Sequence, residues 1–343
     1  MRRAFRQALL SAIIMAAALG RAEATFHLMV IEEVYPGSYL HPDAQYVVLR
    51  STALGQNLLN THPIMTWGAA GNPLPNFGTF DHDETNTASG ARYIMATQAA
   101  VDLFQFTASQ IVTGSLPFPS GRICFAPFLG DFVDCVAYGN FNGNNGPWGT
   151  PAISPGGMAL QRAMKRIRTL TPHNNSTDYN LGAPRPVDEA NIVRDDVDGD
   201  GIPDISDCAP GNAAVYLKPL EVSSLRVDRT PDGLGGFTTT LAWGDQDLLV
   251  GPATVYDLIM QELFGLASPQ PWTTAGCLVP DSPGAAAMDA APEPPVGMVR
   301  LYLARATNVC ADGTYGNFNP GLAANPPPDP RDPLDVAATT PCP

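Results

Sequence analysis

The stretch Asp195-Asp196-Val197-Asp198-Gly199-Asp200-Gly201-Ile202-Pro203-Asp204-Ile205-Ser206-Asp207-Cys208 puts six carboxylates into thirteen residues, with a glycine where a loop must turn sharply. The segments on its N-terminal and C-terminal sides both read as β-rich modules, so the loop marks a joint. The expected fold class is therefore all-β, two β-sandwich modules joined by an acidic loop.

Counting Asp196 as position 1, carboxylates fall at positions 1, 3, 5, 9 and 12, namely Asp196, Asp198, Asp200, Asp204 and Asp207. Gly201 takes position 6 and the carbonyl of Ile202 falls at position 7. That is the ligand spacing of a twelve-residue calcium loop. Calcium is a hard cation that takes six to eight oxygens, and alternate residues of a curled loop can aim carboxylates at one centre. Magnesium fits less well because it demands a small octahedron and keeps its waters. Zinc lacks a His or thiolate within the loop. The alternative is a solvated acidic linker, since Asp and Gly are common in turns. Asp207 stands where an EF-hand has Glu, one methylene longer. Pro184 and Pro186 upstream, and Cys208-Ala209-Pro210-Gly211 downstream, break the helices an EF-hand requires.

With that spacing and without flanking helices, the loop resembles a thrombospondin type 3 repeat, D-x-D-x-D-G-x-x-D-x-x-D-C. The resemblance covers about twenty residues and implies a short connector wrapped around calcium, with little apolar core of its own.

The N-terminus begins with the basic Met1-Arg2-Arg3-Ala4-Phe5-Arg6, then an apolar run from Ala8 to Leu19, then Ala22-Glu23-Ala24. This predicts a secretory signal peptide over residues 1–24, its apolar run too short to span a bilayer. Cleavage would remove four arginines and one glutamate and move the net charge from −14 to −17. Such acidity disfavours nucleic acid and anionic membranes and attracts cations. Six cysteines in an exported chain predict three disulfides. Cys124 and Cys135 suit a hairpin staple. Cys208, Cys277, Cys310 and Cys342 allow three connectivities, of which Cys277–Cys310 with Cys208–Cys342 is expected here.

Short apolar runs separated by Gly, Pro and Asn predict strands at 26–34, 45–50, 62–67, 92–97, 122–125, 134–139 and 157–162, with a short helix over 98–106. Ile31-Glu32-Glu33-Val34-Tyr35-Pro36-Gly37, then A-Q-Y-V-V-L-R, D-C-V-A-Y-G-N-F, M-A-L-Q-R and D-Y-N-L-G-A-P-R-P, resemble a bacterial lamin tail domain in their order and spacing. That resemblance covers about residues 27–187, within an expected domain over 25–187, and implies an immunoglobulin-like sandwich, usually a non-catalytic accessory module. Residues 68–90 and 140–149 read as long loops, where binding often resides. Trp148 could stack on a ligand such as carbohydrate, or fold back over the sandwich edge. Asp81-His82-Asp83-Glu84 is the nearest thing to catalytic chemistry, a His among carboxylates. Adjacent residues on a polar loop are expected to point apart, and no nucleophile motif accompanies them.

A linker over 188–217 contains the clamp, and residues 218–343 form the second module. Strands are predicted at 220–227, 238–243, 254–263 and 298–306. Trp243 early, Tyr302 and Ala306 late, and then Gly313-Thr314-Tyr315 resemble a fibronectin type III module. This implies a seven-strand sandwich with Trp243 and Tyr302 in its core. A Pro-rich tail runs from Asn325 to Asp335. Together these readings predict a secreted, non-catalytic, calcium-binding protein. Calcium would rigidify the joint between its two sandwiches, and its partners would be protein or carbohydrate at a cell surface. The alternative is a secreted hydrolase with a site near His82.

Overall fold

The computed structural model describes residues 28–126, 131–169, 173–233, 236–264, 272, 274–316, 334 and 342. Residues 1–24, expected to be a signal peptide, and the Pro-rich tail apart from Leu334 lie outside the described residues. The chain is all-β, in two compact units. One takes in the chain up to Gly37 and then Asp43–Arg194; the other takes in Ser38–Pro42 and resumes at Asp195. Among the described residues no helix is long and apolar enough to cross a membrane.

In the first unit, strands β1 (Met29–Tyr35), β2 (Tyr46–Ser51), β5 (Arg92–Thr97), β6 (Gln110–Val112), β9 (Ala163–Arg166) and β10 (Tyr179–Gly182) form a sheet in the order β10-β9-β1-β2-β5-β6. Strands β3 (Pro63–Gly68), β4 (Pro73–Thr79), β7 (Gly121–Phe125) and β8 (Asp134–Tyr138) form a second, in the order β4-β3-β7-β8. Val34, Val47, Tyr93 and Met95 from the first sheet share one buried cluster with Ile64, Phe77, Ile123, Phe125, Val136 and Tyr138 from the second. Two sheets joined by one apolar layer is the architecture of a sandwich. All sheet neighbours here are antiparallel except β5 and β6. The parallel pair needs a crossover. The helix Gln98–Phe104 supplies it, starting at a Thr97 cap that accepts the Ala100 amide and ending at Gln105 in the left-handed region. Its Phe104 packs edge-on against Tyr35 and Tyr46.

A buried ionic knot ties the strands further. The Arg166 side chain, 1% exposed, donates to Asp134, to the Tyr179 hydroxyl and to the Ile31 carbonyl. Asp134 in turn accepts the Ile31 amide at 2.7 Å. The knot therefore spans β1, β8, β9 and β10, joining both sheets.

In the second unit, β11 (Arg226–Pro231), β12 (Phe237–Ala242) and β15 (Ala286–Asp289) form one sheet in that order. Strands β13 (Val255–Phe264), β14 (Gly276–Ser282), β16 (Met298–Asn308) and β17 (Ala311–Asp312) form the other, in the order β14-β13-β16-β17. Leu241 and Trp243 meet Tyr256, Leu258, Ala304 and Ala306 in one core, with Tyr302 partly buried against it.

Several expectations need correction. Residues 157–162 form no strand, and the strand begins at Ala163. Residues 68–90 contain β4, whose Pro73 and Leu74 pair with Trp67 and Thr66, so they are a hairpin rather than a single long loop. The run 220–227 reaches strand only at Arg226. The disulfides are Cys124–Cys135, Cys208–Cys310 and Cys277–Cys342. The first matches expectation, its residues lying directly opposite on β7 and β8. The other two exchange the expected partners. Cys310 lies in the turn after β16, where Asn308 already donates to the Leu217 carbonyl, so it meets the segment just past the clamp. Cys342 is buried in a cluster with Ile259, the residue opposite Cys277.

Two outcomes check this fold. Ile123→Ala should cost about 2–5 kcal/mol in denaturant unfolding, whereas Val227→Ala on exposed β11 should change stability by less than about 0.5 kcal/mol. Digestion without reductant should release Cys208 linked to Cys310; recovery of Cys208 linked to Cys342 would contradict the fold of the second unit.

Candidate metal centre

The segment expected to be a linker is folded onto the first unit. Val187 bridges Val193, the Asp188 amide donates to the Ile192 carbonyl at 3.1 Å, and the Arg194 amide donates to Pro186 at 3.0 Å. The clamp starts one residue later. At its far end the chain is fastened to the second unit by the Cys208–Cys310 bridge and by Tyr216 and Leu217 amides that donate to the Val250 carbonyl.

Between those fastenings the loop curls by aspartates that accept nearby amides, as Asp side chains in turns do. Asp196, the most buried of them, accepts the Gly199 amide on one oxygen and the Gly201 amide on the other, each at 2.9 Å. Asp198 accepts the Asp200 amide at 3.3 Å, and Asp200 accepts the Ile202 amide at 2.8 Å. Gly201 has φ +96°, which a Cβ would strain. The Ile202 side chain is 1% exposed and pins the loop to the interior. Asp204 closes the curl, accepting the Val197 amide at 2.9 Å while its own amide donates to the Asp195 carbonyl. Asp207 accepts the Ala209 amide at 2.7 Å.

Of the expected ligands, Asp196, Asp198 and Asp200 bring one carboxylate oxygen each within 4.8 Å of one another. Asp204 and Asp207 are not part of that group of three, and Ile202 contributes here through its buried side chain and its amide. Asp198, Asp200 and Asp207 each keep one oxygen, Oδ2, that is shielded from solvent and accepts no hydrogen bond. Burial pushes Asp196 up to about 6 and Asp200 up to about 7, with the neighbouring aspartates adding to both. Asp207 is raised by burial, then by Asp198 and Asp204. A buried carboxylate with no counter-charge is costly. The donor set is all oxygen on a tightly turned loop, which fits calcium and gives zinc no nitrogen or sulfur.

The residues of the hydrolase alternative behave differently from expectation. Asp81 and His82 do not point apart: the imidazole Nδ1 lies 2.5 Å from Asp81 Oδ1, and Nε2 lies 3.6 Å from Glu84 Oε1. Burial, then Glu189 beside it, pushes Glu84 up to about 7. Spacing alone did not show this grouping, because the loop that brings it together crosses from β4 in one sheet to β5 in the other and its shape is set by tertiary contacts. Trp148 is folded back: it is 9% exposed and clusters with Trp67, Phe132 and the Cys124–Cys135 bridge. The Arg122 guanidinium sits 5.1–5.4 Å from the rings of Trp67, Phe132 and Trp148.

No family model, curated protein or solved structure matches the chain. The fold and the loop alone define its class, an all-β, disulfide-bonded protein with an acidic cluster able to hold a metal.

Because burial raises Asp196 and Asp200, their protonated forms favour the metal-free fold. That contribution is full below the ordinary aspartate range of about 4 and is lost as pH rises through about 6 and 7. In calcium-free buffer the melting temperature should therefore be higher at pH 5 than at pH 8. Asp200→Asn should narrow that difference, as read by differential scanning calorimetry.

Proposed function

We propose that the chain is an exported, non-catalytic calcium-binding protein in which the ion closes the 196–207 loop and stiffens the connector between two β modules. The observation that carries this reading is the set of solvent-shielded Oδ2 atoms of Asp198, Asp200 and Asp207, which lack a hydrogen-bond partner in a loop whose other oxygens are used by its own amides. Calcium would supply the missing charge, with the Ile202 carbonyl, further loop carboxylates and waters filling out its six to eight oxygens. Three disulfides with no free cysteine among those described support an oxidising compartment. Seven strands split three and four support the fibronectin type III-like reading of the second unit, and the two facing sheets of the first support the lamin-tail-like one. A protein of this kind serves adhesion or assembly at a cell surface, with protein or carbohydrate as partner. Against the hydrolase reading, both ring nitrogens of His82 face carboxylates rather than a nucleophile.

Titration calorimetry of the full mature chain should show calcium uptake that Asp198→Asn and Asp200→Asn each weaken by about tenfold or more, since affinity follows ligand charge. Chelation should open residues 195–207 to limited proteolysis while both cores stay intact. Calcium that leaves the cleavage pattern unchanged, with no binding heat, would sink the reading.

A further inference from the structure

Two carboxyl groups meet in the first unit, away from the acidic loop. Glu84, on the loop from β4 to β5, has a side chain only 5% exposed, and its carboxyl is hydrogen-bonded to Glu189 and to Ser109. Ionised carboxylates accept hydrogen bonds and donate none, so a bond between two carboxyl groups needs a proton on one of them. The surroundings decide which one keeps it. Oε1 of Glu189 accepts the Thr85 amide at 2.9 Å, the Thr85 hydroxyl at 3.1 Å and the Asn86 amide at 2.6 Å, a set of donors that favours the anion. Glu84 is poorer in donors: its Oε1 is shielded from solvent without a hydrogen-bond partner, and His82 Nε2 stands 3.6 Å from it. Burial, then the bond to Glu189, raises Glu84 to about 7. Burial acts upwards on Glu189 too, but the Asn86 and Thr85 donors outweigh it and hold Glu189 low. Around the pair, Asp81 takes the other side of His82 at Nδ1, and the Tyr93 hydroxyl on β5 donates to the Asn86 carbonyl. Among the described residues neither glutamate forms an ion pair with Lys or Arg.

We propose that Glu84 and Glu189 form a proton-operated latch: one proton between them fastens the turn over 187–194 to the loop at 84–86, and its loss releases Glu189 from that loop. With Glu84 protonated, its O–H donates to Glu189, while Thr85 and Asn86 hold the far oxygen and the Asn86 side chain donates to the Glu189 carbonyl at 3.1 Å. With Glu84 ionised, two anions face each other in a shielded site, and the less buried Glu189 is the one free to swing into water. Asp188 still accepts the Ile192 and Thr107 amides, so the turn keeps its shape and only its tie to 84–86 opens. The folded-state value of Glu84 is raised, so the tie is complete below the ordinary glutamate range of about 4 and is lost as pH rises through about 7. The turn runs directly into Asp195, so this proton sets how firmly the N-terminal end of the acidic loop is anchored. The latch does not rest on the calcium reading, because both glutamates and all their partners belong to the first unit.

The test is amide exchange of Thr85 and Asn86 in the full mature chain, followed by NMR at about pH 6 and about pH 8.5 and corrected for the intrinsic rate. Protection of both amides should fall by about tenfold or more at the higher pH, in calcium and in chelator alike. Glu84→Gln, whose amide donates to Glu189 at any pH, should flatten the change. Glu189→Gln should flatten it too, since it keeps an acceptor for Thr85 and Asn86 but carries no charge. Both variants preserve side-chain shape, so either one serves if the other fails to fold. His82 also titrates near neutrality, and His82→Gln should leave the fall in place, because the imidazole does not operate the latch. Protection that is the same at both pH values, a fall that survives in either glutamate variant, or one that disappears in His82→Gln overturns the proposal.

Discussion

Charge that is taken out of water must meet opposite charge, and this constraint organises both units. In the first, Arg166 is sunk among Asp134, the Tyr179 hydroxyl and the Ile31 carbonyl, and the same Asp134 holds the Ile31 amide. In the second, Arg305 on β16 meets Asp257 on the neighbouring β13 at 2.8 Å, with both side chains almost wholly buried. Removing one partner from such a pair strands the other, which is far costlier than losing a surface bridge. These contacts are thus specific in a way that the apolar layers around them are not.

Against that background, the places where the protein does not complete its own pairs stand out. The 196–207 loop gives backbone amides to both oxygens of Asp196 but to only one oxygen each of Asp198, Asp200 and Asp207, whose Oδ2 atoms have no donor. Backbone dipoles shape the loop, yet they carry only partial charge and cannot neutralise several carboxylates at once. A shielded carboxylate oxygen without a donor is left with uncompensated charge.

The fold also explains why the acidic loop keeps its shape at both ends. Residues up to Arg194 are hydrogen-bonded into the first unit, and the Arg194 side chain donates to the Gln105 carbonyl. Beyond Asp207, Cys208 is bonded to Cys310, and Gly251 lets the Ala214 carbonyl approach where a Cβ would stand 2.4 Å from it. The sequence placed a linker from residue 188 onwards, just after Pro184 and Pro186. The prolines instead shape a turn packed on its own module, because Asp188 can accept the Ile192 amide and close it. Composition reports a break in regular structure; it does not report whether the break is anchored.

Much of the β pattern was legible in the chain. Runs such as Tyr46-Val47-Val48-Leu49, Arg92-Tyr93-Ile94-Met95 and Met298-Val299-Arg300-Leu301 are mostly apolar and include β-branched or aromatic residues, so local preference and strand formation agree. Strand β4 escaped notice because Pro73, Pro75, Asn76 and Gly78 read as turn, yet an edge strand tolerates them where one side needs no ladder bonds. By itself the sequence determined the all-β class, the acidic loop with its ligand spacing, and the Cys124–Cys135 staple, because each depends on neighbours a few residues apart. Only tertiary structure decided the partners of Cys208 and Cys277, the burial of Trp148 over the disulfide, and the meeting of His82 with Glu84. Those depend on which distant strands pair and how the hairpins between them turn, and spacing along a chain carries no record of that.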